Sequence, residues 1–193
     1  MDGPIVKRAI MGQYGTGASD FYYVVLDATT NGLVFLTHSH HQVHDGKHFV
    51  YTDAVTLANL GTQDYMITTP NTTTWAHMNF NLDGSAITQW QLYEASDKTG
   101  TTLQTVGNNN RNSDNAATVT IHKGTSGGTT DGTQIHIYKS GSSSAIARTG
   151  TDAGNNEEII LRQNTKYILR VTSGTNDNLT NVRLEWYEME DYR

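Results

Sequence analysis

The histidines His38, His40, His41, His44 and His48 crowd into one stretch, Thr37-His38-Ser39-His40-His41-Gln42-Val43-His44-Asp45-Gly46-Lys47-His48. Imidazole nitrogen is a common ligand for zinc and related ions. On a β-strand, residues two apart point to the same face, so His38 and His40 would form a chelating pair there. The competing reading is a set of exposed polar histidines on a strand and turn.

Gly32 before His38 and Asp45 after His40 make a spacing similar to the first cupin motif, with Asp in place of the usual Glu. The second cupin motif, Pro-x-Gly with a later His, is missing. Carboxylates at Glu157, Glu158, Glu185, Glu188, Glu190 and Asp191 could supply a glycosidase pair, but nothing in the chain sets two of them across a cleft. Ser143 stands in a Gly-Ser run that reads as a loop tip. The glycine-rich segments lack the Gly-Lys-Ser/Thr and helix of a phosphate loop. Trp75, Trp90 and Trp186 with Tyr65, Tyr93, Tyr138 and Tyr187 could form a sugar-stacking platform. Yet Trp90 shares strand parity with Leu92, and Trp186 with Leu184, which marks both as core. Tyr93 and Tyr187 take the opposite faces, open to a subunit interface. Glu94 and Arg111 could pair to pin a loop base. No catalytic, cofactor or metal residue is assigned.

The elements that must carry these residues are strands. Ala117–His122, Thr133–Tyr138 and Asn181–Trp186 alternate apolar with polar, the period of two of a half-buried strand. Further strands are expected at Phe21–Leu26 and Leu33–Leu36, joined through Asn31-Gly32, and at Lys47–Thr52, Asp64–Thr69, Thr74–Leu82, Ile87–Glu94, Glu157–Leu161 and Lys166–Thr172. Thr56–Leu60 reads as a helical turn or loop, and Thr99–Asn115 as one long polar loop. The expected fold is an all-β, jelly-roll-like antiparallel sandwich over residues 19–193, with an extended N-terminal arm over residues 1–18. The arm carries Ile5, Val6, Ile10 and Met11 beside Lys7 and Arg8, side chains suited to ordering against a partner.

A net charge of −6, with only 13 scattered Lys and Arg, excludes a general nucleic-acid surface. Polarity comes from Thr, Asn, Gln and Ser, whose burial against a neighbouring subunit costs less than burial of charge. There is no cysteine, and neither a signal peptide nor an apolar run of membrane-spanning length is read. A cytoplasmic site of synthesis is expected.

Val43–Phe49, Tyr65–Pro70 and Leu92–Glu94 are similar to a family of tailed-bacteriophage structural proteins. The similarity continues through Asn108–Asn112, Gly132–Ile135, Glu158–Leu161 with Asn164–Tyr167, and Glu185–Glu188. It covers roughly Val43 to Glu188. The resemblance implies a head decoration or cement protein on the capsid exterior, made in the host bacterial cytoplasm. The implied partners are the major capsid protein and its own copies in a homotrimer, with neither nucleic acid nor membrane. It carries over no catalytic residue. A sugar-binding module, recognising a host-surface glycan from a head fibre or tail, is the alternative reading. A His-ligated cupin-like protein is a further one.

Overall fold

The computed structural model describes residues 12–13, 21–22, 38–141 and 158–190. The chain divides into two units, Met1–His41 and Gln42–Arg193. In the first, β1 (Gly12–Gln13) pairs antiparallel with β2 (Phe21–Tyr22). The rest of the expected arm, most of Phe21–Leu26 and all of Leu33–Leu36 lie outside the described residues.

The histidine-rich stretch is a helix, not a strand: α1 runs His38–His44. Its stop signal is Gly46, at φ +67°. The Gly46 N–H donates to the Val43 carbonyl and the Lys47 N–H to the Gln42 carbonyl, the paired bonds of a Schellman cap. A Cβ at Gly46 would sit 2.1 Å from Ser113 Oγ, so glycine is required there.

From there the chain is strand upon strand: β3 (His48–Leu57), β4 (Thr62–Thr68), β5 (Thr74–Gly84), β6 (Thr88–Glu94), β7 (Thr99–Leu103), β8 (Gly107–Asn108) and β9 (Thr120–Ser126). Then come β10 (Thr133–Ser140), β11 (Ile159–Leu161), β12 (Lys166–Ser173) and β13 (Asn178–Glu190). A six-stranded sheet has the order β10-β6-β12-β4-β9-β7, and a five-stranded sheet the order β11-β5-β13-β3-β8.

Without β7, β8 and β9, the antiparallel pairs are nested. The first strand β3 pairs with the last, β13; β4 pairs with β12; β5 with β11; β6 with β10. That nesting, folded into two sheets, is a jelly roll. The inserted strands widen both sheets on one side, β9 and β7 beyond β4 and β8 beyond β3.

Three expectations are corrected. β3 continues through Thr56 and Leu57, and the turn comes only afterwards, where Leu60 takes φ +60°. Thr99–Asn115 is not one loop but holds β7 and β8, because its threonines suit a strand despite their polarity. The strand expected to begin at Ala117 starts at Thr120, because the Thr118 and Val119 N–H groups donate to the Glu188 carboxylate instead.

Between the sheets, Phe49, Leu92, Leu169 and Leu184 surround Trp90 and Trp186, which are 1% and 0% exposed. Each such side chain contributes about 1.5–3 kcal/mol by leaving water. Trp186 packs on Phe49 with ring centroids 5.9 Å apart.

Candidate functional site

The strand on which His38 and His40 would have formed a chelating pair is absent, since this stretch is helical. On an α-helix, residues two apart stand about 200° around the axis, rather than on one side as on a strand. Among the described residues, no group of three or more His, Asp or Glu is placed to hold a metal ion. His48 is separated from the other histidines at the start of β3.

There it joins a row across the outer face of the five-stranded sheet. Tyr187 is in register with His48 on one side and His77 on the other. The His77 ring stacks on Tyr187 at 4.7 Å and the His48 ring at 6.4 Å. Glu158 closes one end: it lies 2.7 Å from His77 Nδ1 and accepts the Tyr187 hydroxyl at 2.8 Å. Asn109 closes the other, 2.7 Å from His48 Nδ1. Burial lowers the His48 pKa below its ordinary value, Glu185 opposes the shift and Arg183 adds to it. Burial and the Glu158 hydrogen bond raise that of Tyr187.

Among the described residues, these carboxylates do not face one another across a cleft. Glu188 is buried on the inner side and accepts from Thr118 N, Thr118 Oγ1, Val119 N and Trp186 Nε1. Glu185, of opposite strand parity, binds Arg183 and Asn81. Glu190 is the exposed last residue of β13, while Glu157, Asp191 and Ser143 lie outside the described residues. Gly124-Thr125-Ser126-Gly127-Gly128 formally spells Gly-x-Ser-x-Gly, yet Ser126 is exposed at the end of β9, opposite Thr99, and enters a loop rather than a helix.

The aromatic platform is broken up by burial. Trp90, Trp186 and Tyr65 are core, Tyr138 packs on Trp90, and the Arg170 guanidinium covers Tyr93 at 5.5 Å. Only Trp75 among the tryptophans is not fully buried. Glu94 does not meet Arg111: it pairs with Arg162 at 2.9 Å and accepts the Tyr167 hydroxyl at 3.1 Å.

Two polar clusters had no sequence signal, because their members are far apart along the chain. Arg170 binds Asp64 at 2.7 and 2.9 Å and Asp131 at 2.7 and 3.1 Å, and Lys98 also reaches Asp131. At the β3 end of the interior, Asp53 accepts the Tyr65 hydroxyl at 2.7 Å and pairs with Lys123 at 2.6 Å. Burial, then Asp53, raises the Tyr65 pKa, and burial with Asp53 pushes Tyr51 up to about 12. Both phenols therefore stay protonated as hydrogen-bond donors and are not nucleophiles at neutral pH.

The six-stranded sheet ends at β10, which pairs with β6 alone among the described residues and leaves Ile135 and Ile137 43% and 52% exposed. In comparisons with known proteins, the chain matches no family model, no curated protein and no solved structure.

Proposed function

We propose that this chain is a virion structural protein of a tailed bacteriophage, a decoration protein that binds the exterior of the head and stabilises it. Jelly rolls serve viral capsids, lectins and cupins, and the fold by itself does not choose among them. The cupin reading needs strand-borne ligands, whereas these histidines lie largely on a helix and the hydrophobic cluster between the sheets contains no histidine. The observation that carries the assembly reading is β10, which pairs with β6 alone among the described residues and presents two isoleucines to solvent. Such an edge is a template for contact with a neighbouring chain. The residue similarity to decoration proteins supplies the kind of neighbour, the major capsid protein and copies of this chain.

The test is binding to purified undecorated heads, read by co-sedimentation and electron microscopy. Saturable binding to the outer surface is expected, and its absence would overturn the reading. Two variants separate the anchors. Deleting residues 1–18 should abolish binding if the arm attaches the protein, and Ile137→Lys should weaken it at least tenfold if β10 does.

A further inference from the structure

Beside β11, the last strand of the five-stranded sheet among the described residues, lies a groove of about 350 Å3, lined by Trp75, Ile160, Leu161, Arg162 and Gln163. This falls within the roughly 300–1,000 Å3 of small-molecule sites. Trp75 faces outward on β5, alternating with the buried Ala76, and Ile160 is 49% exposed on β11.

The rim is held rigidly. Thr69 Oγ1 donates to the Arg162 carbonyl at 2.6 Å and accepts the Thr165 N–H at 3.0 Å. The Asn164 N–H donates to the Pro70 carbonyl at 3.0 Å, and Gln163 Nε2 donates to the Thr72 carbonyl. Asn164 takes φ +48°, the left-handed conformation that turns the chain back into β12. The groove is therefore preorganised rather than formed by a mobile loop.

Its chemistry is mixed in a specific way. The indole and Ile160 offer an apolar wall. The Gln163 amide donates to the Thr72 carbonyl, and its own carbonyl oxygen is of acceptor type. The Arg162 side chain is 76% exposed and contributes donors, while its charge is offset by Glu94 at 2.9 Å. A ligand suited to this wall has an apolar face, groups that both donate and accept, and no net charge. A pyranose has all three: C–H groups on one face and hydroxyls around its rim.

We propose that this groove binds a neutral saccharide, with one pyranose stacked on Trp75 and its hydroxyls hydrogen-bonded to Arg162 and Gln163. The groove residues are not those of β10, so sugar binding and head binding through Ile137 can be tested by separate variants.

Trp90 and Trp186 are 1% and 0% exposed, so acrylamide quenching of the intact chain reads Trp75. Maltotriose, galactobiose and N,N′-diacetylchitobiose would be titrated in turn, with sialyllactose as the acidic comparison. At least one neutral sugar should lower the quenching constant saturably, by twofold or more. Calorimetry on Trp75→Ala and Arg162→Gln should then show at least tenfold weaker binding. Arg162 is exposed enough that its variant tests the proposal even if Trp75→Ala does not fold. Protection by none of the neutral sugars, binding of the acidic sugar alone, or equal affinity in Arg162→Gln would overturn the proposal.

Discussion

Glu188 gathers four donor groups onto one buried carboxylate, two of them backbone N–H groups from a segment 70 and 69 residues away. Hydrogen bonds to a charged acceptor contribute about 1.5–3 kcal/mol, and an unmatched buried donor costs a similar amount. Glu188→Gln keeps the shape but sets an amide NH2 against the Thr118 donors. It should destabilise the fold by about 2 kcal/mol in urea unfolding, and a loss below about 0.5 kcal/mol would count against this role. His48 predicts a pH effect. Its lowered pKa means that the folded chain takes up a proton less readily than the unfolded chain. Its contribution is therefore complete above the ordinary 6.5 and declines as pH falls below that value. The slope should not exceed about 1.4 kcal/mol per pH unit, one proton's worth. Stability measured against pH should flatten over this window in His48→Gln, and an unchanged profile would reject the assignment. That Glu188 points inward was legible, since it shares parity with Trp186. Its partner Thr118 was not, because no local pattern links positions so far apart.

At the scale of elements, Arg170 explains how the insert is held. It rises from β12, binds Asp64 on the neighbouring β4, and reaches Asp131 in the loop before β10. Asp97, tied to the Thr129 and Thr130 N–H groups, fastens the same loop nearby. The Asp64 and Asp131 hydrogen bonds raise the Arg170 pKa, outweighing burial, and the Arg170 bond leads in lowering that of Asp131. Because the group is partly exposed, Arg170→Ala should cost about 2 kcal/mol rather than the full value of a buried pair. It should also speed hydrogen exchange at Thr129 and Thr130, and unchanged exchange there would show that the loop is held without Arg170. Thr74–Gly84, with clean alternation from Ala76 onward, could be read almost to its end, and so could Lys166–Ser173, whose apolar run Tyr167-Ile168-Leu169 is buried throughout. The insert was harder to read. Thr99–Leu103 has β-branched residues but no buried face to set a period, and the Asn108–Asn112 run folds on its own side chains, with Asn108 Oδ1 accepting the Asn110 N–H. α1 hid behind the reading of these histidines as exposed residues of a strand and turn, although Asp45-Gly46 marked its end.

For the whole molecule, the nested jelly roll protects one side better than the other. β7, β8 and β9 extend the sheets beyond β4 and β3, whereas the opposite side ends, among the described residues, in β10 and β11 with Ile135, Ile137 and Ile160 exposed. If the chain assembles as a trimer, as the proposed decoration role implies, the contact must be heterologous, with β10 meeting a different surface on the next copy. A two-fold pairing of β10 with itself would instead give a dimer. Light scattering distinguishes the two, with three chain masses expected at micromolar concentration. Ile137→Lys changes an exposed position, so it should alter stability by less than about 0.5 kcal/mol. It would also set an ammonium group beside Lys139 at the contact, where burial of unpaired charge is costly. The variant should therefore run as a monomer with an unchanged circular dichroism spectrum. A trimer that survives Ile137→Lys would place the self-contact elsewhere, and a two-chain mass for the wild type would replace the three-fold arrangement with strand pairing across a dyad.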